Sequence, residues 1–197
     1  MSKIRILIIG LGRIGKIHLA NLQAKGEVEI VGICDPTDEA KVFSNKAGLT
    51  FYQKDFKDIA SEVETDAIVI CSPTDTHAKY VSMAAKKGID VFCEKPLDLS
   101  LQKVKQVLKI VNESKIKLML GFNRRFDSEF QSVKEKIVNG HIGDIYTIKI
   151  TSRDPFPPPI NYIKSSGGMF LDMTIHDFDM IRYLGNIFNF KKFKVFS

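Results

Sequence analysis

Asp172 and His176 stand four residues apart in the stretch Met169-Phe170-Leu171-Asp172-Met173-Thr174-Ile175-His176-Asp177. Read as a helix, that spacing puts both side chains on one face. The neighbouring residues are apolar enough to predict burial, and a buried carboxylate and imidazole need a reason. A histidine held by a carboxylate is the arrangement of a proton-accepting base kept in one orientation. The same pair can also be read as metal ligands, although two ligands do not make a site. The second candidate is Lys95, in Glu94-Lys95-Pro96. A lysine at the carboxyl end of a strand can polarise a substrate oxygen, and the proline restricts the turn that aims it. The plainer alternative is an exposed loop lysine.

A partner for this chemistry is written near the start of the chain. Gly10-Leu11-Gly12-Arg13-Ile14-Gly15 directly follows an apolar run and opens an amphipathic stretch. In a strand–turn–helix unit, G-x-G-x-x-G is a dinucleotide phosphate loop. The first glycine permits the tight turn, the second lets the backbone approach the pyrophosphate, and the third packs helix close against strand. The helix N-terminus adds free N–H groups and a favourable dipole. The predicted contacts of this loop are Gly10, Gly12, Arg13, Ile14 and Gly15.

Asp35 closes the second apolar run, 20 residues beyond Gly15. A carboxylate there meets the adenosine ribose hydroxyls and repels a 2′-phosphate, which favours NAD over NADP. Its alternative is a helix cap. Ser72 and Thr74, in Cys71-Ser72-Pro73-Thr74-Asp75-Thr76-His77, either reach the cofactor ribose or cap the following helix. His77 reads either as a cofactor neighbour or as a helix-surface histidine.

The elements that must hold these residues follow from apolar periodicity. Strands are predicted at 4–9, 28–34, 50–52, 66–71, 90–94 and 117–120, with helices at 14–25, 38–46, 76–87 and 100–112. Fully apolar strands alternating with helices predict an α/β Rossmann unit, a doubly wound parallel sheet, over residues 1–121. The rhythm then changes. A helix is predicted at 127–139, a strand at 145–153 after Gly143-Asp144, a proline-rich loop through Pro159, and one helix over 169–184. Residues 122–197 thus read as the start of a second α+β domain. The tail, with Phe188-Asn189-Phe190 and Phe193-Lys194-Val195-Phe196, has strand-like alternation. One strand and two helices cannot bury a second core, so this part reads either as a small appendix to the first domain or, the favoured reading, as a truncated piece of something larger.

Taken together, Gly10–Gly15, Cys34-Asp35-Pro36, Ser72-Pro73-Thr74 with His77, Glu94-Lys95-Pro96 and Gly121-Phe122-Asn123-Arg124-Arg125-Phe126 resemble the glucose-fructose oxidoreductase/inositol dehydrogenase (Gfo/Idh/MocA) family. Ser152-Arg153-Asp154-Pro155 and the residues from Gly167 to Asp179 are most similar to its inositol 2-dehydrogenase branch. The resemblance implies an NAD-dependent, metal-free dehydrogenase that oxidises a ring polyol, such as myo-inositol. It implies that Lys95 contacts substrate and nicotinamide ribose, that His176 accepts the hydroxyl proton and that Asp172 orients His176. It also implies Glu94 and Asn123 on the cofactor side, and Arg124 and Asp154 on the substrate side. It makes residues 122–197 a partial substrate-binding and oligomerisation domain, and full-length relatives would be homo-oligomers. The alternatives are another sugar dehydrogenase of the family and an NAD-binding fragment without catalysis.

Bulk composition is ordinary for a soluble globular protein. Of 197 residues, 44% are hydrophobic and 26% charged, and no apolar run is long enough for a membrane helix. The net charge of +6 is spread over scattered lysines with no helix-turn-helix or RNA-binding pattern, so a nucleic-acid partner is not expected. Cys34, Cys71 and Cys93 form no CxxC spacing and read as buried thiols of a cytoplasmic protein.

Overall fold

Runs that are apolar at successive positions suit strands covered on both faces. The computed structural model describes residues 2–153, 156–158, 160–163 and 166–185. It gathers the runs into one parallel sheet: β1 (Ile4–Ile9), β2 (Val28–Cys34), β3 (Phe51–Tyr52), β4 (Ala67–Ile70), β5 (Asp90–Cys93) and β6 (Leu118–Leu120). The order is β3-β2-β1-β4-β5-β6, the doubly wound order of dinucleotide-binding domains. Helices α1 (Arg13–Gln23), α2 (Asp38–Lys46), α3 (Phe56–Ile59), α4 (Thr74–Lys86) and α5 (Leu101–Ser114) lie between the strands in sequence.

Successive residues of a strand point to opposite faces, and β1 divides accordingly. Ile6 and Ile8 join Leu19 of α1 and Ala40 of α2 in one core. Leu7 and Ile9 join Phe56 and Ile59 of α3, Val81 and Ala84 of α4, and Val107 of α5 in the other. Short polar residues start α2 and α5: the Thr37 side chain accepts from the Ala40 amide, and that of Ser100 from the Lys103 amide. The periodicity argument misses α3, which is too short to show a period, and α4 starts two residues earlier than predicted.

The chain divides into two compact units after Gly121. In the second, a 3-10 turn, Asn123–Phe126, precedes α6 (Ser128–Val138), α7 (Ile160–Ile163), α8 (Met169–Asp172) and α9 (Thr174–Gly185). Two expectations are corrected here. Residues 145–153 form no strand. Half-buried Ile148, Ile150 and Ser152 alternate with exposed Lys149, Thr151 and Arg153, so the period-two pattern persists. A strand also needs a ladder partner, and the described residues of this unit contain none. The predicted helix over 169–184 is two helices. The regular bonding stops at Met173, where the His176 amide turns back only three residues to the Met173 carbonyl at 3.1 Å. This stretch is also less buried than predicted, with Met169 48% and Phe170 49% exposed. The phenylalanine-rich tail beyond Gly185 lies outside the described residues.

At the amino ends of β1 and β4, Arg5 clasps Asp66, with Nη2 2.9 Å from Oδ1, and reaches Glu64 at 2.5 Å. The Arg5 side chain, followed by its backbone N–H, lowers the Asp66 carboxyl to about 2. The folded state therefore binds this proton less readily than the unfolded chain. The stability from Asp66 is present above the ordinary carboxylate range and is lost as pH falls from there through about 2. Asp66→Asn should lower the melting temperature at pH 7, and the gap from wild type should shrink below the ordinary carboxylate range and close only as pH falls through about 2, measured by circular dichroism. A gap that is constant with pH would refute the ion pair's part.

Candidate functional site

Parallel pairing levels the carboxyl ends of the strands. Ile9 lies opposite both Cys34 and Ile70, Ile70 opposite Cys93, and Cys93 opposite Leu120. The ladder then runs one bond further: the amides of Gly10, Cys71, Glu94 and Gly121 donate to the carbonyls of Cys34, Ile9, Ile70 and Cys93. Gly10, Asp35, Ser72, Lys95 and Gly121 consequently all leave the sheet at one edge. The chain's winding reverses across β1 and β4, and in doubly wound sheets the ligand crevice lies there, beyond the carboxyl ends.

The glycine loop is shaped by close approach. Gly10 has φ +89°, and a Cβ there would lie 2.5 Å from the Ser72 nitrogen. A Cβ on Gly15 would lie 2.1 Å from the Gly10 carbonyl oxygen. At Gly12, by contrast, a Cβ would meet nothing within 4 Å. Gly12 is also the N-cap of α1, where no side chain caps the helix and the first turn holds no acidic residue. The first amides of α1 are therefore left for an anion, beside open space over Gly12.

Asp35 is buried. Its Oδ2 accepts the Leu11 amide at 2.8 Å, and its Oδ1 accepts the Thr37 amide at 2.8 Å and hydroxyl at 2.6 Å. The cap of α2 is Thr37, so the alternative of Asp35 as helix cap is resolved against. Three bonds leave acceptor capacity on a carboxylate. The open glycine loop and this carboxylate fit NAD. Asp35→Ala should weaken NAD binding and relax discrimination against NADP, read by titrating each cofactor. Unchanged preference would refute this role.

Thr76 donates its hydroxyl to the Pro73 carbonyl at 2.7 Å, so the 2.6 Å contact with Ser72 is a donation from Ser72. Thr74 is the first residue of α4, with no side-chain cap. His77 is not on the helix surface: it is 2% exposed, and its two ring nitrogens face the Ser72 and Pro96 carbonyls. Lys95 is half-buried, which removes the reading as an exposed loop lysine. Glu94 lies 2.7 Å from His18 Nε2, and the His18 ring packs edge-on against Phe92. Sequence reasoning overlooks His18, because nothing in its spacing on α1 marks it.

In the second unit, Asp172 and His176 are half-buried, and the His176 ring meets Phe122 edge-on with centroids 6.4 Å apart. Arg124 donates to Asp177 at 2.5 Å and to Ser152 at 3.3 Å, while the Ser152 hydroxyl donates to Asp177 at 2.6 Å. Arg125 grips buried Asp179 through Nε at 2.7 Å and Nη2 at 2.5 Å. That carboxylate raises the Arg125 pKa. Two adjacent arginines thus hold two acidic residues of α9, which bears His176. The signal for these pairs is Asp177-x-Asp179 in an apolar stretch, with Arg124-Arg125 far upstream. Asn123 is exposed, and Asp154 lies outside the described residues.

The cysteines offer no nucleophile. Burial, above all, pushes the Cys34 and Cys71 thiols up to about 12, and Cys93 upward as well. Among the described residues, no three His, Cys, Asp or Glu side chains gather where a metal ion could be held, and no helix is long and apolar enough to cross a membrane.

Sheet order, glycine loop and Asp35 define an NAD-binding Rossmann domain. The chain belongs to the GFO/IDH/MocA oxidoreductase family, whose NAD-binding Rossmann domain matches residues 4–122 and whose C-terminal domain matches residues 130–187. It is 44% identical over 182 residues to an inositol 2-dehydrogenase of Rhizobium meliloti (strain 1021), across 92% of this chain and 54% of that one. A crystal structure of a myo-inositol dehydrogenase from Corynebacterium glutamicum superposes with TM-score 0.85 at 40% identity, over 92% of this chain and 55% of the other. A scyllo-inositol dehydrogenase from Lactobacillus casei, solved with NAD(H) and scyllo-inositol, superposes with TM-score 0.79 at 31% identity, over 94% and 57%. The chain spans about half the length of the relatives it matches.

Proposed function

We propose that this chain carries the cofactor domain and the catalytic base of an NAD-dependent dehydrogenase that oxidises a ring hydroxyl of myo-inositol or a related inositol to a ketone. The observation that carries the reading is the 44–45% identity to inositol dehydrogenases across nine-tenths of the chain. Half-buried Lys95 at the carboxyl edge of the sheet, and His176 on the arginine-braced α9, support it.

The amides at the start of α1 and the Asp35 carboxylate would hold the dinucleotide. When bound, NAD supplies the hydride acceptor. Lys95 would donate to the substrate oxygen and to the nicotinamide ribose. His176 takes the hydroxyl proton as the carbon gives up its hydride, so the C–H and O–H bonds break and a C=O bond forms. Asp172 holds His176 in orientation. The family resemblance would assign Asn123 to the cofactor, and Arg124 and Asp154 to the substrate.

The test is reduction of NAD by the full chain with myo-inositol, scyllo-inositol and a panel of aldoses, followed at the absorbance of reduced nicotinamide. Turnover on an inositol is the expected result. Turnover on an aldose alone would make the protein another sugar dehydrogenase. NAD binding without turnover on any polyol would make this chain, half the length of its relatives, a binding module.

A further inference from the structure

The ring of His77 lies between two backbone carbonyls. Nε2 stands 2.8 Å from the Ser72 oxygen and Nδ1 2.8 Å from the Pro96 oxygen. The residue is 2% exposed, so water does not mediate in place of these partners. Carbonyl oxygens only accept. A neutral imidazole has one N–H, so either tautomer would satisfy one carbonyl and aim a bare lone pair at the other. An imidazolium donates to both, and such charge-assisted bonds are the stronger kind.

The two carbonyls belong to different loops. Ser72 follows β4, and Pro96 follows β5, immediately after Lys95. On the other side of Lys95, the Glu94 side chain is engaged by His18 of α1. Charged neighbours on these elements have other engagements: Lys79 of α4 pairs with Asp55, and Asp98 beyond the turn pairs with Lys103. Asp75 on α4 is exposed, and Lys95 is half-buried. The partners aligned with the two ring nitrogens are the carbonyls.

We propose that His77 is a positioning residue for Lys95: as an imidazolium it ties the Ser72 loop to the Glu94-Lys95-Pro96 turn and so sets where the lysine stands. The importance of that placement rests on reading Lys95 as the residue that contacts substrate and cofactor. The staple itself rests on the geometry of the first unit alone.

The test is ring-nitrogen NMR of the full chain labelled with 15N-histidine at pH 7, without cofactor. The His77 signals are assigned by their loss in His77→Gln. Two protonated ring nitrogens, each with an N–H protected from exchange, are expected. One bare nitrogen overturns the proposal. In His77→Gln, which has no pair of donors able to span both carbonyls, the amide resonances of Glu94, Lys95 and Leu97 should shift or broaden, while that of Gly12 stays in place. Unmoved resonances at 94, 95 and 97 overturn the positioning role even if the ring is a cation. If that variant does not fold, the His77 ring signals are assigned in the wild type by through-bond correlation to the His77 backbone resonances, and that spectrum decides. A chain that binds no NAD and turns over no inositol would overturn the dehydrogenase reading, and these spectra would still decide the role of His77.

Discussion

Replacing His176 with alanine is expected to slow inositol oxidation by about 10²–10⁴-fold, the usual contribution of a positioned general base. NAD affinity should stay unchanged, because His176 is not among the residues proposed to hold the cofactor. The loss should therefore fall on kcat, with KM for inositol moving less. Asp172→Asn should produce a smaller fall, since it removes the orienting charge and keeps the base. Both variants are read by the absorbance of reduced nicotinamide in a protein that turns over inositol. A near-normal rate for His176→Ala would rule it out as the base. The Arg125–Asp179 grip gives a control: it lies on the same helix as His176 but forms a bidentate bond to the 3-10 turn. Arg125→Met should lower stability as well as rate, because it leaves a buried carboxylate without its partner.

The second large effect separates two glycines of one loop. Gly12→Ala should leave the melting temperature near that of wild type, since a Cβ there meets nothing within 4 Å and the backbone is extended, with φ −67°. NAD affinity should nevertheless fall at least about tenfold, because the methyl group occupies the space the pyrophosphate needs. Gly15→Ala should lose both. Its Cβ would lie 2.1 Å from the Gly10 carbonyl oxygen, a backbone atom that cannot step aside alone. Overpacking of this kind costs about 1–3 kcal/mol. Thermal melts paired with NAD titration give the comparison. Equal NAD binding by Gly12→Ala and wild type would mean that the open space over Gly12 is not where the phosphates lie.

Much of the first unit was legible in the sequence. Its strands are apolar at successive positions, α2 and α5 carry local side-chain caps, and a glycine loop is a local feature whose spacing survives folding. The helix over residues 169–184 was legible only in part. Its apolar pattern is helical, but the break at Met173 is a matter of backbone bonding, and the half-exposure of Met169 and Phe170 depends on what packs nearby. The strand expected at 145–153 misled because alternation records which residues face inward, whereas a strand also needs a partner.

By itself, the sequence determined the dinucleotide loop at Gly10, Gly12 and Gly15, the acidic end of β2 at Asp35, and the Asp172–His176 spacing. Each is written within one turn or one strand–helix unit. Only the tertiary structure decided that Ser72, Glu94 and Lys95 leave the sheet at the same edge, that His77 is buried between two carbonyls, and that Arg124 and Arg125 hold Asp177 and Asp179. The reason is separation along the chain: His77 meets Pro96 across 19 residues, Arg124 meets Asp177 across 53, and His18 meets Glu94 across 76. No local periodicity spans such distances, so sheet register and helix packing alone decide which of these polar groups meet.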